Sequence, residues 1–131
     1  MNIYGSLEEI PFDSETYLTI GTYDGIHLGH RLILEKLVSE AQKLNKRDLV
    51  ITFDPHPQIV LKKADKPELF LLTTIKERLY LLKKLGLNNV LIIPFSWEFS
   101  HIEAEEFIEE LLIKKIGLEK IFIGYDHSFG R

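Results

Sequence analysis

The ten residues "GTYDGIHLGH" (21–30) space three glycines by four and finish on two histidines three positions apart. Just before them, "YLTIG" (17–21) is apolar, β-branched and stopped by Gly21, the pattern of a short strand. Just after, Ile33, Leu34, Leu37, Val38, Ala41 and Leu44 recur at helical spacing, which predicts an amphipathic helix from about Leu28 to Asn45. The stretch is therefore the turn of a strand-to-helix unit, and the rest of the chain repeats that unit.

"LVITF" (49–53) reads as a buried strand ended by Asp54 and Pro55, and an irregular stretch follows from Asp54 to Leu72. Thr74 with Glu77 forms a capping box, with Ile75, Leu79, Leu82 and Leu85 on one apolar face and Gly86 closing the helix. "NVLIIPF" (89–95) is a third strand. Ser100 with Glu103 suggests a second capping box, Phe107, Ile108, Leu111 and Leu112 the core face of a third helix, and Gly117 its end. "KIFIG" (120–124) is a fourth strand. Strict alternation of this kind predicts an α/β fold with a parallel sheet and helices on both faces, with ligands beyond the carboxyl ends of the strands. Three of the four strand exits carry unusual residues: those after Gly21, Phe53 and Gly124.

At 131 residues the chain is expected to form one domain, and 45% hydrophobic with 27% charged residues is ordinary for a globular protein. A net charge of −4, with lysines and arginines interspersed among acids, argues against a nucleic-acid groove. The absence of cysteine excludes disulfides, zinc–thiolate sites and thiol nucleophiles. With neither a leader pattern nor an apolar run of bilayer length, the expectation is a cytoplasmic protein with no membrane partner.

Alone, Gly21, Gly25 and Gly29 could be turn residues and His27 and His30 surface histidines; the spacing is not the G-x-G-x-x-G dinucleotide fingerprint. A mechanism nevertheless favours function. A helix starting at Leu28 offers unpaired N–H groups and partial positive charge to an anion, glycines let a phosphate approach the backbone, and imidazoles at 27 and 30 add donors. Such a site suits nucleotidyl transfer better than hydrolysis. "TFDPHP" (52–57) is either a rigid turn or a stiff wall for a flat ligand, with His56 as a polar contact. In "GYDHSFGR" (124–131), Asp126 could cap a turn or orient a heterocycle while Phe129 packs its face.

"GTYDGIHLGH" resembles the G-x-F-D-x-x-H-x-G-H motif of the HIGH-type nucleotidylyltransferase superfamily. Together with "TFDPHP", "LTTIK" and "GYDHSFGR" it resembles one member closely, the FMN adenylyltransferase (FAD synthetase) module of bacterial bifunctional riboflavin kinase/FMN adenylyltransferases. The resemblance runs from about Leu18 to Arg131. It implies a Rossmann-like sheet of order 3-2-1-4-5, here lacking its last strand, in a domain 1–131 truncated at its carboxyl side and normally fused to a riboflavin kinase domain. It also implies the reaction FMN + ATP → FAD + pyrophosphate with Mg²⁺. His27 and His30 are then the catalytic candidates. Gly21, Thr22, Tyr23, Asp24, Gly25, Gly29, Pro55, His56, Pro57, Asp126, Phe129 and Arg131 are the candidates for binding nucleotide and flavin. Asp24 orients an imidazole or binds metal, and the metal ligands stay open. Two departures stand out: Tyr23 replaces the family's usual Phe, and His127 stands where an aromatic is usual. A cytidylyltransferase-type enzyme and a non-catalytic nucleotide- or flavin-binding module remain as alternatives.

Overall fold

A computed structural model describes residues 1–23, 28–54 and 74–124. Within them, strands β1 (Asn2–Tyr4), β2 (Thr16–Ile20), β3 (Arg47–Phe53), β4 (Asn89–Ile93) and β5 (Leu118–Phe122) form one sheet in the order β1-β4-β3-β2-β5. Every pairing is parallel. The four expected strands lie in the expected order, and the first and fourth of them, β2 and β5, are neighbours. Strand β1 was not expected: its three residues are too few to show a period, and it is held by pairing with β4 rather than by its own pattern.

The two sheet faces follow from the two-residue period of the strands. Leu18, Ile20, Leu49, Ile51, Phe53, Leu91 and Ile93 face one core, packed by Phe107, Leu112 and Ile116. Tyr17, Val50, Val90 and Phe122 face the other, packed by Leu34, Leu37, Ala41 and Leu82. Helix α1 (Leu28–Leu44) and helix α2 (Ile75–Lys84) thus cover one face. The other is covered by α3 (Ala104–Glu106), which continues without a break into the π-wound Phe107–Ile116.

The helix ends follow local chemistry. Helix α1 ends in a Schellman turn: Asn45 adopts φ 59°, its N–H reaches Gln42 O at 3.3 Å, and Lys46 N–H reaches Ala41 O at 2.7 Å. Leu44, expected on the core face, is instead exposed, because the chain leaves the helix there. Helix α2 begins with the expected capping box, Glu77 N–H to Thr74 Oγ1 at 3.1 Å and Thr74 N–H to Glu77 Oε1 at 2.9 Å. It ends at Gly86, φ 99°.

The second expected capping box does not form. Ser100 lies in a 3₁₀ turn, Phe99–His101, where its hydroxyl bonds Trp97 O, and Glu103 caps Ala104 without a side-chain bond. The expected core face of the third helix also shifts. Phe107, Leu112 and Ile116 are buried while Ile108 is 40% exposed. The cause is π winding: bonds such as Gly117 N–H to Leu112 O at 2.8 Å span five residues and rotate Ile108 off the stripe.

Candidate active site at the carboxyl edge of the sheet

Strands β2, β3 and β5 run side by side, so their exits share one edge. Beside it α1 begins at Leu28. In a parallel sheet this edge, at the crevice where successive strands depart to opposite sides, is where ligands bind. Here β3 lies on one side of β2 and β5 on the other.

The exit of β2 is held on three consecutive residues. Gly21 N–H continues the ladder to Ile51 O at 3.0 Å. The Thr22 carbonyl accepts from Thr52 Oγ1 at 2.8 Å. Tyr23 takes a left-handed backbone, φ 52°, unusual for a bulky residue, and is almost fully buried. Its ring folds back over Gly21, where a Cβ would approach Tyr23 Cε2 to 2.9 Å, so glycine is needed there.

The Tyr23 hydroxyl lies 2.7 Å from Thr19 Oγ1, which itself donates to Phe122 O at 2.7 Å. Thr19 has one hydroxyl proton, and it is used on Phe122, so the phenol is the donor in the first bond. Burial pushes the Tyr23 phenol up from its ordinary pKa, with the Thr19 bond opposing, and that keeps the proton in place. The Tyr23 ring also packs edge-on against His30, centroids 5.1 Å apart.

Of the residues expected at the site, Gly21, Thr22, Tyr23 and His30 are therefore gathered in one place, with the backbone of Gly29 in the first turn of α1. Asp24, Gly25, His27, Pro55, His56, Pro57, Asp126, Phe129 and Arg131 lie outside the described residues, as does His127. The expected approach of His27 and His30 to Asp126 therefore rests on residues beyond those described. Phe53, whose exit leads to "DPHP", packs against Phe95 and Phe99 at 5.6 and 6.1 Å, and Phe99 packs on Phe107. Phe99 thus serves burial, whereas Trp97 is half exposed and stacks edge-on with His101.

Three residues of this edge were not foreseen: Thr19, Thr52 and Arg78. All three are buried. Their signal was present as polar residues inside apolar patterns, a threonine near the end of both "YLTIG" and "LVITF" and an arginine inside the stripe Ile75–Leu79–Leu82. Among the described residues no three acidic or histidine side chains converge as a metal centre needs.

The family model described as FAD synthetase matches residues 9–131. The bifunctional riboflavin kinase/FMN adenylyltransferase of Buchnera aphidicola subsp. Schizaphis graminum is 35% identical over 118 residues, covering 90% of this chain and 37% of the relative. The Escherichia coli K12 protein of the same description is 37% identical over 113 residues, covering 86% of this chain and 36% of its own length. The chain thus spans little more than a third of the curated relatives it matches. A crystal structure described as a macrolide-efflux protein from Streptococcus pneumoniae superposes with TM-score 0.85 at 28% identity, over 99% of this chain and 51% of the other. Among the described residues no helix is long and apolar enough to cross a membrane.

Proposed function

Because the chain belongs to the FAD synthetase family, we propose that it transfers the AMP portion of ATP to the phosphate of FMN, giving FAD and pyrophosphate. In this reading it is the adenylyltransferase part of a longer cytoplasmic protein that also carries a riboflavin kinase domain. The observation that carries it is the edge just described: a glycine-loosened exit from β2, packed through Tyr23 onto His30 in the first turn of α1.

The chemistry asks little of the protein as an acid or base. An FMN phosphate oxygen attacks the α-phosphorus of ATP, the bond from that phosphorus to the β-phosphate's bridging oxygen breaks, and pyrophosphate leaves with the electron pair. The nucleophile is already ionised near neutrality, since a phosphomonoester's second pKa is about 6. Catalysis therefore rests on alignment and on meeting the charge of the triphosphate. His30 and His27 supply donors to the ATP phosphates, with the amides at the start of α1 beside them. Gly21, Thr22, Tyr23, Asp24, Gly25 and Gly29 shape the nucleotide side. Pro55, His56, Pro57, Asp126 and Phe129 shape the flavin side, and Arg131 is a further binding residue. Mg²⁺, when bound with ATP, would neutralise part of the triphosphate charge.

The test is to supply ATP and FMN to the full-length protein that carries this chain and follow FAD and pyrophosphate together. Equal amounts of both products are expected, with CTP a poor substitute. Flavin quenching without pyrophosphate release would make the protein a binding module, and a preference for CTP would make it a cytidylyltransferase.

A further inference from the structure

Arg78 lies in the first turn and a half of α2, and the capping box at Thr74 and Glu77 fixes where that helix starts. Its side chain is 1% exposed and crosses to the carboxyl end of β3. There one nitrogen, Nη1, donates to Thr52 Oγ1 at 3.0 Å and to Phe53 O at 3.0 Å. Nη1 carries two hydrogens, so both bonds form at once.

The two acceptors lead to different places. The Thr52 hydroxyl in turn donates a hydrogen bond to Thr22 O at 2.8 Å and so holds the β2 exit that leads to "DGIHLGH". Phe53 O is the last strand carbonyl before "DPHP", the β3 exit. One guanidinium nitrogen is therefore tied to the exits of both β2 and β3, which lead, on the proposed function, to the residues that hold ATP phosphates and flavin. Hydrogen bonds from a charged donor are stronger than neutral ones, and a planar guanidinium fixes their directions.

We propose that Arg78 is a positioning residue that couples the nucleotide loop to the flavin loop, with Thr52 as the relay to the nucleotide side alone. The proposal rests on the functional reading above for the identity of the two substrates. The branching makes it testable, because removing the hub affects both loops and removing the relay affects only one.

The experiment compares Arg78→Met, Arg78→Lys and Thr52→Val in the full-length protein by substrate kinetics and by amide hydrogen exchange at Gly21 and Asp54. Those amides are the first of each exit and bond Ile51 O and Ile93 O. Arg78→Met should raise KM for both ATP and FMN by about tenfold, the effect of losing a charge-assisted bond. It should also speed exchange at both amides. Thr52→Val should raise KM for ATP and exchange at Gly21 while leaving KM for FMN and Asp54 unchanged. Arg78→Lys should recover part of the loss.

Wild-type KM values and exchange rates in Arg78→Met would overturn the proposal. So would a fall in kcat with both KM values intact, which is the signature of lost folded protein. If Arg78→Met does not fold, Thr52→Val decides, and a symmetric or absent effect there refutes the coupling. A wild-type protein that makes no FAD sinks the proposed function, and the exchange pattern still decides the coupling.

Discussion

The two edges of the sheet use the same device for different ends. At the amino edge, the Asp48 carboxylate on β3 accepts from the backbone of Asn88 at 2.9 Å and of Asn89 at 3.2 Å, and from the Asn88 side chain at 2.9 Å. The Asn89 side chain donates to Asp48 O at 3.0 Å and accepts from Asn2 at 3.1 Å, so three strands are pinned in register. Beside them Arg47 donates to Pro11 O, Thr16 Oγ1 and Ile116 O at 2.7, 3.0 and 3.0 Å. At the carboxyl edge, Thr19, Thr52 and Arg78 likewise bond backbone carbonyls, those of Phe122, Thr22 and Phe53, but the exits of β2 and β3 that they hold lead into the histidine and proline motifs. Polar burial sets register at one edge and presents a loop at the other. Damage should accordingly show as lost stability at the amino edge and as lost turnover at the carboxyl edge.

The largest contrast is expected from His30→Ala. Removing one preorganised donor to a developing charge typically costs about 10²–10³ in rate. FAD formation should fall by about that factor while the protein stays folded. Near-normal turnover would detach the nucleotide from this edge. The opposite pattern is expected from Asp48→Ala. It strands buried donors on Asn88 and Asn89, so unfolding free energy should drop by about 3 kcal/mol while kcat per folded molecule is unchanged. A denaturant titration alongside active-site counting separates the two.

How much of this was legible follows the same division. Strand-to-helix alternation came from periodicity and the loop of Gly21, Thr22 and Tyr23 beside His30 from one motif, both patterns of residue type against spacing. The order of the four strands came from the family resemblance that the motifs carry. What escaped depends on three-dimensional partners. β1 is a strand only because Asn2 and Ile3 meet β4. Ile108 looks like core until π winding turns it outward. Arg78 interrupts an apolar stripe, but what it bonds there shows only once Thr52 and Phe53 are placed beside it.

Tyr23 shows the gap well. The sequence shows it only as a departure from the family's usual Phe, yet its hydroxyl ties the β2 exit to β5 through Thr19.

Gly117 sharpens the amino-edge half of the comparison. It was expected as a helix stop, and at φ 103° it is one, but a Cβ there would also meet Asp13 O at 2.1 Å. Gly117→Ala adds a backbone collision to left-handed strain, and a loss of about 2 kcal/mol is expected with activity retained. Tyr23→Phe is the milder probe of the other edge. It removes one buried bond and should cost about 1 kcal/mol. On the proposed function Tyr23 belongs to the nucleotide side, so KM for ATP should also rise. An unchanged KM would mean that the ring alone, against Gly21 and His30, sets the loop.

The smallest and most diagnostic effect comes from Asp48→Asn. The amide keeps an oxygen for the N–H groups of Asn88 and Asn89, and its NH₂ can donate to Asn88 if that side chain flips, so the geometry survives where Ala would destroy it. What changes is charge. Burial raises the Asp48 pKa above the usual carboxylate value, and the bonds from Asn88 and Asn89 only partly oppose that shift. The folded state therefore binds the proton more readily than the unfolded chain. The Asp48 contribution to stability is greatest below the unfolded pKa and is lost as pH rises through the folded one. Asp48→Asn lacks this slope, so its stability relative to wild type should improve as pH is raised from below that window to neutrality. Paired denaturant titrations at the two pH values measure the change. If the variant loses ground on the same path, the amide bonds to the carboxylate outweigh its desolvation, and the amino edge depends on the charge itself.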